Sequence, residues 1–156
     1  MKETWKMFSH VNWCCGAHTE FSGKICDTLK SAVMSGMYAT QFFMGPRMSR
    51  AKRAIISEID LKECERFLAR YPVQVFSHYP YCANLAGQAT ENIPAWTGNQ
   101  SCDSGVLSTI PALEYELGIL SQFSSVNNGV VIHPGSLSDR KQGLSSIVKS
   151  INKISF

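Results

Sequence analysis

The chain alternates between short apolar runs and longer segments whose apolar residues recur at helical spacing. Four short runs end in loops rich in glycine, proline or polar residues, which predicts strands over residues 11–17, 38–44, 73–77 and 130–133. Helices are predicted over residues 24–35, from residue 60 to the Tyr71-Pro72 pair, over 108–123 and over 138–153. This repeated alternation predicts a parallel sheet with the helices packed outside it.

Signals for how helices begin and face the core are clearest in the second and fourth predicted helices. Asp60, with Glu63 three residues later, is expected to cap the second helix in the manner of a capping box. The fourth helix has an apolar face formed by Leu144, Ile147, Val148 and Ile151. Between residues 87 and 105 the chain is long, polar and rich in Gly, Asn, Thr and Ser, which predicts a functional or disordered loop.

Four strand–helix units amount to half of a closed eight-unit barrel, which typically needs about 250 residues. We therefore predict an α/β fold, a partial (half) TIM-type (β/α)8 barrel over residues 12–156, preceded by an N-terminal extension over residues 1–11. Residue 156 falls where a fifth strand would begin. Such a half barrel would have open edges at its first and fourth strands, and an interior face lined by residues such as Val75 and Val131. Because unpaired edges invite pairing, self-association or a partner supplying the other half is expected.

Composition and charge add only broad limits. The 156 residues are 44% hydrophobic and 17% charged, enough for a core under a lightly charged surface. A net charge of +3 permits contact with nucleic acid without requiring it. No stretch reaches the roughly 18 apolar residues of a membrane span, and the first residues lack the apolar block of a signal peptide. The six cysteines match no metal or disulfide pattern, which indicates reduced thiols in an intracellular protein, cytoplasmic or nuclear and not secreted.

Two histidines come directly after predicted strands. His78 follows the third strand, and His133 ends the fourth. Barrel enzymes keep their chemistry at the carboxyl ends of strands, so the two side chains could converge on one metal ion. The alternative for each is a structural histidine that only forms hydrogen bonds within the fold. His18, at the end of the first strand, can equally brace its own loop.

A basic segment follows the second strand. Arg47, Arg50, Lys52 and Arg53 place four cations within seven residues, with no acid among them. Such a run would bind phosphates in a salt-dependent way rather than read base sequence. The alternative is an ordinary solvated loop.

Several of these segments together resemble the endonuclease IV family (apurinic/apyrimidinic, or AP, endonuclease family 2), especially its divergent viral or microbial members. The resemblance runs from about residue 12 onward. It is carried by Gly16-Ala17-His18 with Ser22-Gly23, by Gln41-Phe42-Phe43-Met44-Gly45-Pro46-Arg47, by His78-Tyr79-Pro80-Tyr81 with Asn84-Leu85-Ala86, and by His133-Pro134-Gly135-Ser136. The order of the segments and their positions after successive strands make the resemblance specific.

The resemblance implies a DNA repair enzyme with an (α/β)8 barrel and a trinuclear zinc site, which cuts the DNA backbone 5′ to an abasic sugar. It implies that His78 and His133 are two ligands of one zinc. In the family the third ligand of that zinc, a glutamate, comes from strand five, and the other ligands come from later strands. The chain would then be the N-terminal half of such an enzyme, with only two ligands of one zinc.

The resemblance also implies contacts with double-stranded DNA that carries abasic sites. The residues concerned are His18, Arg47, Arg50, Tyr81 and Cys82. Arg47 lies near the family's DNA-inserting position, and Tyr81 matches a tyrosine that enters the minor groove. Cys82 stands where the family has a leucine, so the inserted wedge would be smaller.

Three functions therefore stay open. The first is the AP endonuclease, acting as a homodimer or with a C-terminal half-barrel partner. The second is a non-catalytic module of the same family that binds DNA or a partner without cutting. The third is a fragment of a sugar isomerase or epimerase, since those enzymes share the barrel type, although they usually lack the His-Pro-Gly-Ser segment.

Overall fold

The computed structural model describes residues 15–48, 53–86, 105–135, 137 and 139–155. Within these residues strands and helices alternate throughout, as the hydrophobic pattern predicts. The elements are β1 (Gly16–His18), α1 (Ile25–Met34), β2 (Ala39–Phe42), α2 (Glu58–Leu68), β3 (Gln74–His78), α3 (Gly105–Leu120), β4 (Asn128–Val131) and α4 (Arg140–Ile151). The predicted N-terminal extension and the long polar loop lie outside the described residues, apart from the loop's last residue, Gly105, which begins α3.

The four strands form one parallel sheet in the order β1-β2-β3-β4. Each strand pairs with the next one along the chain, as consecutive strands of an α/β barrel do. The register sets Gln41 opposite His18 and Val131 opposite His78. The predicted α/β fold with parallel strands is confirmed, and in the described part of the chain β1 and β4 are the edge strands.

The main core lies between the sheet and the helices. Phe42 and Val75 project from β2 and β3 into a fully buried cluster with Ile25, Leu29, Cys64, Leu68 and Leu120 of the helices. Side chains alternate along a strand, so Phe76 and His78 belong to the opposite, concave face. Phe76 there lines an open groove of about 260 Å³ with Ala39 and Gln41.

This alternation corrects one prediction about the interior of the barrel. Val75 was expected to line that interior, but it packs beneath the helices with none of its surface exposed. Val131, by contrast, shares the face of His78 through the register and is 40% exposed. In a strand buried on both faces, the apolar pattern alone does not tell which face turns toward the helices.

The start of α2 differs from the prediction made for Asp60. Ser57 is the N-cap residue, and its hydroxyl accepts a hydrogen bond from the backbone N–H of Asp60 at 3.2 Å. The buried Asp60 carboxylate instead accepts from the backbone N–H groups of Ile25 and Cys26, at 2.7 and 3.1 Å. Those groups begin α1, whose own N-cap residue, Lys24, forms no side-chain cap. Asp60 therefore caps the neighbouring helix, because Ser57 already occupies the capping position of α2.

The α4 helix packs mainly through its small residues. Gly143 and Ser150 are buried, and the Ser150 hydroxyl donates to the backbone carbonyl of Leu85 at 3.1 Å. The predicted apolar face is largely turned outward, since Leu144, Val148 and Ile151 are 56%, 59% and 51% exposed. Among the helices that the structure describes, none is long and apolar enough to cross a membrane.

Candidate functional site

Three histidines meet at the carboxyl ends of the strands. His18 is the last residue of β1, His78 is the last residue of β3, and His133 follows β4 by two residues. The ring centres of His78 and His133 are 5.2 Å apart, and those of His18 and His78 are 5.8 Å apart. The Nε2 atoms of His78 and His133 lie 3.1 Å from each other. We refer to these three residues as the histidine cluster.

The loops that follow β3 and β4 hold each other in place. The backbone N–H of Leu85 donates to the carbonyl of Pro134 at 2.8 Å. Gly135 has a φ of 88°, and a Cβ atom there would collide with the backbone of Asn84. The position requires glycine for both reasons, conformation and space. The segments that carry His78 and His133 are thus fixed relative to each other.

Aromatic rings surround His78. Phe43, the residue after β2, stacks on the His78 ring at 4.7 Å with an interplanar angle of 13°. Phe43 also lies 4.8 Å from His18. Tyr81 approaches His78 edge-on at 5.4 Å and lies 5.3 Å from His133. His78 therefore lies at the centre of the site, with an apolar ring against its face.

This environment favours neutral imidazoles. Burial lowers the pKa of His78 below its ordinary value, and the charges of His133 and His18 add to the effect. The pKa of His18 is also lowered, first by burial and then by the Arg47 guanidinium, while a backbone hydrogen bond at Thr19 opposes the shift. Both rings are therefore mostly neutral at pH 7, the state in which imidazole nitrogens bind metals.

The geometry of His78 and His133 fits two ligands of one zinc ion. Two nitrogens bound tetrahedrally at about 2.0–2.1 Å from zinc lie about 3.3 Å apart, close to the 3.1 Å observed. Two features are missing from a complete site. The buried Nδ1 of His78 has no hydrogen-bond partner among the described residues, whereas metal-bound histidines usually donate this N–H. Nor do the described residues contain a group of three or more His, Cys, Asp or Glu side chains that could hold a metal.

The candidate DNA-binding residues are only partly brought to this site. The exposed Arg47 lies with its guanidinium carbon 5.2 Å from the Phe43 ring centre, and its carbonyl accepts from the Tyr81 N–H at 2.9 Å. Tyr81 is 47% exposed at the rim of the cluster. Cys82 is half-buried beside it in sequence. Arg50 lies outside the described residues.

The side chain of Arg53 lies in a different environment from the one predicted for the basic segment. It was expected to bind phosphates with the other cations of the basic segment. Its side chain is instead only 7% exposed and pairs with the fully buried Glu116 at 2.9 Å. The expectation is wrong for Arg53 because a buried guanidinium already bound to a carboxylate does not present its charge to a polyanion.

Two residues near the site escaped the sequence analysis, Phe43 as a ring on His78 and Glu116 as a buried acid. Phe43 lies in one of the segments that resemble endonuclease IV, but no pattern distinguishes a stacking ring from a core ring. The sequence does contain a signal for Glu116. This acid lies three residues after the buried Leu113 and four before the buried Leu120, on the core-facing stripe of α3. A charged residue on such a stripe requires a buried partner.

Comparison with known proteins finds likeness in structure only. No protein-family model matches the chain, and no curated protein matches its sequence. Among solved structures, endonuclease IV from Thermus thermophilus superimposes with a TM-score of 0.62 and 16% identity, over 88% of this chain and 45% of that one. AsfvAP:AG, a structure of an ASFV AP endonuclease, gives 0.58 and 17% identity, over 90% and 44%.

At these identities the likeness concerns the fold. The four strands and four helices match part of a TIM barrel, and the chain spans less than half the length of each of the two neighbours. The neighbours are an endonuclease IV and an AP endonuclease, and what this chain shares with them is the fold.

Proposed function

We propose that this chain forms the part of an endonuclease IV-like AP endonuclease that binds one zinc ion and contacts damaged DNA, and that the enzyme cuts the backbone 5′ to an abasic site. The observation that carries the proposal is the 3.1 Å approach of the His78 and His133 Nε2 atoms at the carboxyl ends of adjacent parallel strands. The fold of the two nuclease neighbours supports it.

The residues of the cluster have distinct roles in this proposal. His78 and His133 hold the metal as neutral imidazoles, and the stacked Phe43 keeps water from one face of His78. When bound, zinc would supply a nucleophilic hydroxide near neutral pH and would neutralise charge on the phosphate. Two ligands are too few for this chemistry, so we propose that a second copy or a C-terminal half-barrel partner supplies the carboxylates.

DNA would approach along the rim of the cluster. Arg47 is exposed next to Phe43 and offers a cation to the phosphates. Tyr81 projects beside both metal-binding histidines, where its ring can stack on or wedge between bases at the gap that a missing base leaves. An abasic nucleotide has no base to unpair, so displacing it costs little.

The test is cleavage of a duplex with one abasic site by the full chain, with zinc and with a chelator. Chelator-sensitive cutting on the 5′ side supports the proposal, whereas cutting unaffected by chelator contradicts it. The chain should also be assayed with its partner, if one co-purifies.

Zinc uptake is expected to depend on both histidines. His78→Ala and His133→Ala should each lose most of the zinc taken up by the parent, measured by metal analysis after dialysis. Cys15→Ser is the matched control, because Cys15 is an exposed thiol at the opposite end of β1. Equal zinc uptake by the parent and both histidine variants would show that His78 and His133 do not bind the metal.

A second candidate is a module that binds DNA or a partner without cutting. The observation in its favour is that the described residues offer no third metal ligand. It predicts salt-dependent binding of duplex DNA that needs Arg47 and Tyr81 but is indifferent to chelator. Salt-dependent binding of duplex DNA without cleavage would favour the module that does not cut.

A further inference from the structure

A buried carboxylate connects the two segments on which the candidate site depends. Glu116 of α3 accepts a hydrogen bond from the Ser77 hydroxyl at 2.6 Å and another from Arg53 Nη1 at 2.9 Å. Ser77 is the neighbour of His78 in β3. Burial raises the pKa of Glu116, and the bonds from Ser77 and Arg53 oppose that shift. We call these three side chains the Glu116 bridge.

Arg53 links this bridge to the described parts of the segment between β2 and α2, residues 43–48 and 53–57, which we call the arginine loop. Its Nη2 donates to the carbonyl of Pro46 at 3.3 Å. The backbone N–H of Ala54 donates to the carbonyl of Met44 at 2.7 Å. The outgoing and returning ends of the loop are thus tied together directly beside Arg47.

The neighbouring residue of α3 supports the same end of the loop. The Tyr115 hydroxyl donates to the carbonyl of Ala54 at 2.8 Å and accepts from the N–H of Ile56 at 3.3 Å. These contacts lie on the exposed side, while Glu116 holds the loop from the buried side. Of the two, the charged and buried contact is the stronger.

We infer that Glu116 is a positioning residue: it fixes the arginine loop against the strand of His78 so that Arg47 stays beside the histidine cluster. The ligand that this arrangement serves is a phosphate of the DNA backbone, and this part of the inference rests on the proposed function. The positioning of the arginine loop by Glu116 does not depend on DNA and can be measured separately.

Limited digestion with trypsin measures how firmly the loop is held. In the described part of the loop, trypsin can cut after the exposed Arg47. The double variant Arg53→Met with Glu116→Leu removes the bridge without leaving a buried charge unpaired, which favours folding. We expect cleavage after Arg47 to become about tenfold faster, since local opening no longer breaks a buried ion pair.

The chain offers a matched control for the loss of an ion pair. Asp27 and Lys30 form an exposed pair at 3.2 Å on α1. Asp27→Asn should leave cleavage of the arginine loop unchanged, because exposed pairs contribute little. The single variant Arg53→Lys, which keeps the charge pair, should give an intermediate rate. Glu116→Gln leaves a buried guanidinium unpaired and should be cut at least as fast as the double variant. Loop cleavage at the parental rate in every bridge variant that shows the parent's circular dichroism would overturn the inference.

DNA binding separates the inference from the proposed function. If the bridge acts through Arg47, the bridge double variant and Arg47→Met should each weaken DNA binding, and combining them should weaken it no further. Additive losses would contradict positioning of Arg47. If the parent binds no DNA at all, the proposed function fails, while the proteolysis result still decides the role of Glu116.

Discussion

At the scale of single residues, His78 is the centre of the site. It has Phe43 stacked on one face, Tyr81 at its edge and the Nε2 of His133 at 3.1 Å. These neighbours keep its imidazole neutral by excluding water and by opposing a second positive charge. A low proton affinity would favour the zinc binding proposed above, because a metal binds the nitrogen lone pairs.

The effect of Phe43 on the pKa of His78 can be measured in the metal-free protein. We expect Phe43→Leu to raise the pKa of His78 toward its ordinary value, because a smaller side chain lets water reach the ring. NMR titration of the imidazole C2 protons measures it, and His18, which also contacts Phe43, should shift in the same direction. A pKa of His78 that is unchanged or further lowered would show that Phe43 does not desolvate the ring.

The lowered pKa of His78 also makes the stability of the fold depend on pH. The folded state resists the proton that the unfolded chain accepts near the ordinary histidine pKa of 6.5. The unfolded state therefore binds more protons there, and stability should decrease as the pH falls below that value. His78→Gln should reduce this decrease, as measured by urea unfolding between about pH 7 and 5.5. An identical pH dependence in parent and variant would contradict it.

At the scale of elements, the helices are joined by capping groups that cross from one to another. Ser57 caps α2 from within its own chain segment, whereas Asp60 of α2 caps α1. The sequence reveals the first kind of cap, because the residue and the helix it caps are adjacent. It does not reveal the second kind, since a carboxylate in a helical turn carries no mark of a partner 35 residues away.

The two caps should differ in their cost when removed. Ser57→Ala loses one partly exposed cap and should lower the free energy of unfolding by about 1 kcal/mol. Asp60→Ala leaves two buried N–H groups without partners and should lower it by about 3 kcal/mol. Urea unfolding monitored by circular dichroism gives both values. Equal losses would show that the cap that Asp60 forms on α1 stabilises the fold no more than the Ser57 N-cap does.

The same distinction explains how much of the molecule its sequence predicts. Strand and helix order, parallel pairing and the approach of His78 to His133 follow from local pattern and from the rule that parallel strands end together. The Arg53–Glu116 pair joins residues 63 apart and depends on packing that no local pattern contains. The basic run in the sequence therefore predicts phosphate binding or a solvated loop for Arg53, and neither includes a buried ion pair.

At the scale of the whole molecule, the described sheet covers part of a barrel, and apolar side chains are exposed on α4 and on the edge strand β4. Leu144, Val148 and Ile151 form an outward stripe on α4, and Val131 is exposed on the edge strand. In a closed barrel such positions are covered by the next strand–helix unit. The expectation of self-association or of a half-barrel partner is therefore still a prediction, now with a definite surface.

We expect the chain to self-associate at micromolar concentration in analytical ultracentrifugation. Val148→Glu should shift it toward monomer by placing a charge in the apolar stripe. Ile59→Glu is the control, because Ile59 is an exposed apolar residue of α2 that lies outside the α4 stripe. A stable monomer in the parent, or an equal effect of both substitutions, would contradict the prediction.

The placement of Asp60 has a consequence for the order in which the molecule folds. The first turn of α1 finds its hydrogen-bond acceptor only after α2 has docked, 34 and 35 residues further along the chain. The α1 and α2 helices, with β2 between them, should therefore become ordered as one cooperative unit. Arg47 lies between β2 and α2, so it reaches its place beside Phe43 only when this unit has formed. In native-state hydrogen exchange, the amides of Ile25 and Cys26 should open together with those of α2.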